Sequence, residues 1–276
     1  MGRVRAVALD WSGAADPLTQ RRRIWVAVAE DGRLVSLTAG RTRLEAVDHL
    51  LGILERGEAT VAGLDFAFGF PEWWSRATGA TDGPSLWGVA AEFGEEWLAA
   101  CAPPFWGRPG RPRPPVGPDQ EWRRTERQLP PGARRPKSVF QIGGAGAVGT
   151  GSIRGMPQLS RLHAAGVAVW PFDDWPAGGP VVAEVYPRWC TGPVNKSDPT
   201  QRAAHLARCW PGLCPAHREA AIASDDAFDA ACAALVLSRA LPPTVGLDAI
   251  DRIEGRVLPI DASLVGPVAG PVSGRV

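Results

Sequence analysis

The sequence predicts an α/β protein with a mixed β-sheet, in which an antiparallel meander is joined to parallel strands and flanked by helices. Short apolar runs closed by turn residues, beginning with Val4–Leu9, are typical of strands. Residues 42–56 instead carry leucine and valine at helical spacing. Strand and helix signals then resume after Pro180, which is typical of this class.

The first three strands are predicted to form the meander. The run Val4–Leu9 is followed by a Trp-Ser-Gly turn and then by the β-rich run Arg23–Ala29. Asp31-Gly32 is a strong hairpin signal, and Leu34–Leu37 continues as the third strand. After the helix at 42–56, the apolar run Thr60–Asp65 predicts a fourth strand. A meander, a helix and a strand in this order form the opening half of a ribonuclease H-like sheet.

The rest of the chain is predicted to complete one domain spanning residues 1–276, with a long insertion at about 72–180. Proline, glycine and arginine dominate residues 103–136 of the insertion, so a loop or lid with little regular structure is expected there. The other predicted elements are a helix at Glu92–Cys101, a glycine-rich segment at Gly143–Gly155 whose run Gly143–Gly151 is expected to form a tight loop, an amphipathic stretch at 156–163, a minor strand at Ala168–Phe172, a strand at Pro180–Val185 and helices at 199–209 and Ser224–Leu241.

Composition excludes several classes of protein. A formal net charge of +1 over 276 residues does not indicate a polyanionic partner for the whole molecule. Five cysteines, an odd and sparse set, argue against a disulfide framework. No run approaches the roughly 20 apolar residues that span a bilayer. We therefore expect a reduced, cytoplasmic protein without a membrane segment, and composition leaves the oligomeric state open.

Three carboxylates stand at the ends of predicted strands. Asp10 and Asp65 end the first and fourth strands, and Glu184 lies in the strand Pro180–Val185. These three strands are parallel neighbours in a ribonuclease H-like sheet, about 4.8 Å apart, so their carboxylates can converge on Mg²⁺ or Mn²⁺. Two such ions can activate a water and stabilise the leaving oxygen of a phosphodiester. The alternative for Asp10 is a turn-capping role.

The last helix adds further acids. Asp225 and Asp226 lie in its first turn, where acidic residues also simply complement the helix dipole. Asp229 lies further in and precedes an alanine-rich, close-packing face, which favours a place in the site over a solvated surface position.

Five short motifs follow one another along the chain: ALDWSG, GLDFAFGFP, AEVYP, SDDAFDAACAAL and EGRVLPI. In these the chain resembles the predicted ribonuclease H-like nucleases grouped as domain of unknown function four-twenty-nine. The resemblance implies a ribonuclease H-like fold and a metal-dependent nuclease site containing Asp10, Asp65, Glu184 and Asp229, with Asp226 beside them. It does not extend to about residues 72–140, and Trp11 is bulkier than the small residue expected after Asp10.

Two basic residues are candidates for substrate binding. Lys196 follows the Glu184 strand where the family also tends to carry a lysine, and as a point charge it could contact a phosphate. Arg202, further along the predicted helix at 199–209, could assist it. The alternative for Lys196 is an ordinary surface lysine, although lysine is scarce here, with two residues against 28 arginines.

A basic, tryptophan-bearing segment lies at 105–137. It holds nine basic and three acidic residues, with Trp106 and Trp122 among them. Such a segment can track phosphates and stack on the bases of a single strand. A solvated loop in an arginine-biased protein is the alternative, and the choice between DNA and RNA stays open.

The residues His205, Cys209, Cys214 and His217 have side chains that bind zinc, but their spacing matches no common zinc pattern. Buried cysteines and histidines near helix ends are the competing interpretation.

The function expected from these features is metal-dependent hydrolysis of nucleic-acid phosphodiester bonds, with Mg²⁺ or Mn²⁺ as cofactor. Two alternatives remain. One is an ATP-dependent phosphotransferase of the actin-like or sugar-kinase type, since ALDWSG followed by an Asp-Gly hairpin fits its first phosphate loop. The other is a non-catalytic binding module of the same fold.

Overall fold

The computed structural model describes residues 5–56, 60–129, 134–240 and 242–266. Its core is a six-stranded mixed sheet with the strand order β3-β2-β1-β4-β6-β5. β1, β2 and β3 pair antiparallel, whereas β4 pairs parallel with β1, and β6 pairs parallel with β4 and β5. The strands are β1 Arg5–Asp10, β2 Trp25–Glu30, β3 Arg33–Thr38, β4 Thr60–Leu64, β5 Ala168–Trp170 and β6 Val181–Glu184.

Helices cover both faces of the sheet. The longer helices are α2 and α11, on either side of the sheet, and α4 and α7, which pack against each other. The helices are α1 Pro17–Arg23, α2 Arg43–Leu54, α3 Glu72–Ala77, α4 Gly83–Ala100, α5 Pro118–Glu121, α6 Arg124–Arg127, α7 Gly149–Ala164, α8 Pro187–Thr191, α9 Pro199–Cys209, α10 Pro215–Ala223, α11 Asp225–Leu237 and α12 Asp251–Glu254, with a 3₁₀ turn at Ala262–Leu264.

The two faces of the sheet carry different apolar side chains because alternate residues of a strand point in opposite directions. Leu9 of β1 and Leu64 of β4 belong to the core that also contains the buried faces of α2, α4 and α7. Ala8 of β1 and Ala183 of β6 belong to the other core, which contains most of α11. We call these the α7 face and the α11 face.

The structure confirms the predicted fold class: a mixed sheet, antiparallel on one side and parallel on the other, consistent with a ribonuclease H-like fold. Val4, predicted to begin the first strand, lies outside the described residues. A helix that was not predicted, α1, lies between β1 and β2, and Asp16 caps it by accepting from the N–H groups of Leu18 and Thr19. The predicted helix at Glu92–Cys101 is the second half of α4, which begins at Gly83.

The prediction of a tight loop over Gly143–Gly151 was wrong at its end, since residues 149–151 already belong to the first turn of α7. Glycine usually weakens a helix interior, but here it permits close packing. A Cβ on Gly155 would lie 2.5 Å from the ring of Phe66. The missing side chain lets α7 lie directly against the segment that follows β4.

The predicted loop at 103–136 contains the short helices α5 and α6, and part of it is buried. Arg123 is fully buried between Glu126 and Glu184. Arg124 pairs with Asp251 of α12 at 2.7 Å. Two of the nine basic residues of this segment thus hold the insertion onto the domain.

Candidate functional site

Asp10 and Asp65 stand side by side at the carboxyl edge of the sheet. The register of β1 and β4 pairs Leu9 with Leu64, and the backbone N–H of Asp65 donates to the Leu9 carbonyl at 3.1 Å. The next residue of each strand is therefore an aspartate at the same level. By the alternation of strand side chains, both continue the α11 face rather than the α7 face.

Glu184 occupies a different position. The register of β4 and β6 pairs it with Leu64, which places its side chain on the α7 face. There its carboxylate accepts two hydrogen bonds from the guanidinium of Arg123, at 2.5 and 2.7 Å, and one from the backbone N–H of Phe68 at 3.0 Å. Glu184 therefore lies close enough to Asp65 to act on it electrostatically, but its carboxylate is bound to Arg123 of the insertion.

Asp229 comes to the site from α11. This helix is nearly all buried because its alanines allow it to lie close to the sheet, and Asp229 itself is 2 % exposed. Its carboxylate acts electrostatically on Asp65 and on Asp10. Asp226, one turn earlier, is only partly buried and lies 3.3 Å from Arg23. Asp226 therefore lies at the rim of the cluster, whereas Asp229 lies inside it.

Burial and mutual repulsion disfavour the charged forms of these aspartates. Burial, with Asp229 as the next cause, raises the pKa of Asp65 to about 7. Burial also raises the pKa of Asp229 to about 6, although Lys196 opposes the shift. For Asp10, burial and then the charges of Asp65 and Asp229 hold the pKa well above its usual range. The site thus concentrates more negative charge than its surroundings balance.

Lys196 supplies part of the balancing charge. Its ammonium group forms an ion pair with Asp229, and the carboxylates of Asp10 and Asp65 also act on it. Burial alone would lower the pKa of Lys196, but the attraction of these three aspartates raises it. The lysine that was predicted to contact substrate therefore lies among the predicted metal ligands.

Arg202, the second predicted substrate-binding residue, is buried and donates to backbone. Its guanidinium contacts the carbonyl oxygen of Ile222 through Nε at 3.0 Å and also the carbonyl oxygen of Lys196. It therefore fixes the backbone from which the Lys196 side chain extends.

The chemistry of this donor set fits a divalent cation. Carboxylate oxygens are the ligands that Mg²⁺ and Mn²⁺ prefer, and a cation among Asp10, Asp65 and Asp229 would offset the burial and mutual repulsion that raise their pKa values. As the side chains stand, no group of three or more His, Cys, Asp or Glu in the described ranges is arranged to hold a metal ion. The ion pair between Lys196 and Asp229 holds one of the three carboxylates.

The structure brings together only some of the four side chains considered as zinc ligands, which are His205, Cys209, Cys214 and His217. His205 and Cys209 are buried on one face of α9, with Nδ1 and Sγ 3.8 Å apart. Cys214 is exposed at the start of α10. All five cysteines of the chain are free thiols.

Two arginines that the sequence did not single out hold the loop after Asp10. Arg43 donates to the carbonyls of Ser12 and Ala14, at 3.0 and 2.5 Å, and Arg154 donates to that of Gly13 at 2.5 Å. Burial, and next the charge of Arg154, lower the pKa of Arg43 to about 10. In a chain with 28 arginines, no sequence signal distinguishes these two.

The fold and the site define an α/β protein in which one aspartate ends β1, a second directly follows β4, and a third, on a covering helix, acts electrostatically on both. The chain matches the family described as "Protein of unknown function (DUF429)" over residues 15–245, and it belongs to that family. It has no match among the curated proteins and none among the solved structures. No helix in the described part of the chain is long and apolar enough to cross a membrane.

Proposed function

We propose that the protein is a metal-dependent phosphodiesterase of the ribonuclease H-like type that cleaves nucleic acids. The observation that carries this proposal is the meeting of Asp10, Asp65 and Asp229, from β1, β4 and α11, around the ammonium group of Lys196. Buried carboxylates that repel one another cost stability, and such costs are concentrated at functional sites.

The three aspartates would hold Mg²⁺ or Mn²⁺ through their carboxylate oxygens. Such a cation lowers the pKa of water and neutralises charge that develops on a phosphate. Asp226, at the rim, adds negative charge that acts on all three aspartates. We assign Glu184 to the support of this site: its carboxylate binds Arg123 and the Phe68 amide, and so fixes the segment that follows Asp65.

Basic residues lie beside the segments that follow β1 and β6, the two strands next to β4 in the sheet, which supports a polymeric phosphate substrate. Arg43 and Arg154 bind the loop after Asp10, and both act electrostatically on Glu95 together with Arg108 of the insertion. Next to β6, Arg134 and Arg188 act electrostatically on Tyr186, the second residue after that strand. The charge of Asp65 also affects the pKa of Tyr186. Cations on both sides of a hydrolytic centre suit a nucleic-acid backbone that runs through it.

The test is cleavage of end-labelled single-stranded and double-stranded DNA and RNA with Mg²⁺, Mn²⁺ or a chelator. We expect cleavage of at least one substrate, dependent on the cation and lost in Asp10→Asn. Asp48→Asn is the control. Asp48, on α2, forms an exposed ion pair with Arg161 of α7, and such pairs contribute little to stability. Cleavage by Asp10→Asn at the wild-type rate would contradict the proposal. So would metal-dependent phosphate transfer from ATP to a small molecule in place of cleavage.

A further inference from the structure

We propose that Lys196 is an intramolecular occupant of the cation site, which a divalent ion must displace before it binds. The inference rests on the proposed function and specifies how that site is controlled. Its basis is the position of the Lys196 ammonium group, which is ion-paired with Asp229 and within electrostatic reach of Asp10 and Asp65. A single positive charge among three carboxylates occupies the place where a divalent cation would be most stable.

The backbone at Lys196 is fixed, so a displacement involves only its side chain. Arg202 donates to the Lys196 carbonyl, and the neighbouring Asn195 donates its N–H to the side chain of Gln201 at 3.1 Å. The N–H of Asp198 in turn donates to the Asn195 carbonyl at 3.1 Å. These contacts hold the segment onto the first turns of α9.

The side chain itself is free to leave. About half of the Lys196 side chain is exposed (47 %), whereas that of Asp229 is 3 % exposed. A lysine carries its charge on a flexible four-carbon chain, so rotation about its χ angles can move the ammonium group outward while Asp229 stays in place. The group keeps its proton throughout, and the exchange replaces one cation by another.

Displacement would also give the lysine a second role. The released ammonium group stays beside the three aspartates because its backbone is tethered by Arg202. It would then be in reach of a phosphate bound to the divalent ion. Metal binding would thus make a positive charge available to the substrate only when the site is loaded.

The first experiment is a calorimetric titration of Mn²⁺ into the wild type, Lys196→Gln and Lys137→Gln. Lys137, the other lysine of the chain, is the matched control because its side chain is exposed and, among the described residues, it is not paired with any of the three aspartates. We expect Lys196→Gln to bind Mn²⁺ at least about tenfold more tightly than the wild type, because no cation has to be displaced or repelled. Lys137→Gln should bind like the wild type.

The second experiment uses the unaltered protein and so does not depend on the folding of a variant. The two lysines are acetylated with an amine-reactive ester, with and without Mg²⁺, and their modification is followed by peptide mass spectrometry. We expect Mg²⁺ to accelerate the modification of Lys196 several-fold and to leave that of Lys137 unchanged, because displacement exposes the Lys196 amine.

Equal Mn²⁺ affinity in the wild type and Lys196→Gln, or Lys196 acetylation that Mg²⁺ does not accelerate, would overturn this inference and leave the proposed function standing. Failure of both proteins to bind Mn²⁺ would overturn the proposed function as well. The two failures are therefore distinguishable.

Discussion

Asp10 and Asp65 lie at the same level of adjacent parallel strands, because the N–H of Asp65 donates to the carbonyl of Leu9 at 3.1 Å and Leu9 pairs with Leu64. Sheet hydrogen bonding thus forces two carboxylates together, and Asp229 of α11 adds a third. The charges repel, so the metal-free fold is destabilised at the site that we propose to be functional.

A first prediction concerns the pH dependence of stability. The pKa of Asp65 is about 7 in the folded protein, against an ordinary value of 3.8. The unfolded chain therefore loses this proton at lower pH, so the contribution of Asp65 to stability falls as the pH rises from about 4 to about 7. Above pH 7 the ionised Asp65 destabilises the folded protein. Asp65→Asn removes this cost, so its free energy of unfolding should be about 1–4 kcal/mol higher than that of the wild type above pH 7.

Urea denaturation with a chelator present, repeated across this pH range, measures the difference between Asp65→Asn and the wild type. The difference should be close to zero below about pH 3, where the aspartate is protonated in both states. A difference that does not change with pH would show that Asp65 carries no raised pKa.

A second prediction concerns the buried ion pair of Arg123 and Glu184. Removing one partner leaves the other charge buried, so Arg123→Met should lower the free energy of unfolding by about 3–5 kcal/mol. The double variant Arg123→Met with Glu184→Gln should lose less than the sum of its single variants, with a coupling of at least about 1 kcal/mol.

Arg161→Met is the matched control, since Arg161 forms an exposed pair with Asp48 at 2.7 Å and should cost less than about 1 kcal/mol. Additive effects in the double-mutant cycle of Arg123 and Glu184 would contradict the anchoring role of this pair.

A third prediction compares two helical glycines. Gly52 of α2 has open space around its missing Cβ, so Gly52→Ala should raise the free energy of unfolding by about 0.5–1 kcal/mol. Gly155→Ala of α7 should instead lower it by about 1–3 kcal/mol, because the new Cβ would lie 2.5 Å from the Phe66 ring. Thermal unfolding of both variants measures the signs, and a stabilised Gly155→Ala would show that α7 is less closely packed than described.

The sequence was informative about the strands and about which residues end them. Asp10 and Asp65 could be predicted as neighbours because each ends an apolar run, and the strand order that joins them follows from the meander, helix and strand. The face occupied by Glu184 could not be predicted. It depends on whether Glu184 pairs with Leu64 or with Asp65, a difference of one residue in register that reverses the side chain.

The helices that were missed or shortened had misleading composition. The glycines of α7 are typical of a loop in the sequence alone. The structure explains one of them, because the ring of Phe66 occupies the space that a side chain at Gly155 would need. Arg123 was equally hidden, because it stands among exposed arginines of a proline-rich segment and its burial arises only from the contact with Glu184. Long-range contacts, which local patterns do not encode, decide both cases.

The proposed cation site is tested by a calorimetric titration of Mn²⁺ into the wild type and Asp10→Asn at a pH well above 7, where the Asp65 carboxyl is mostly ionised. We expect the wild type to bind with a Kd below about 1 mM and Asp10→Asn to bind at least about tenfold more weakly, with a circular dichroism spectrum that matches the wild type. Absence of Mn²⁺ binding by the wild type at millimolar concentration, or equal affinity in Asp10→Asn, would contradict it.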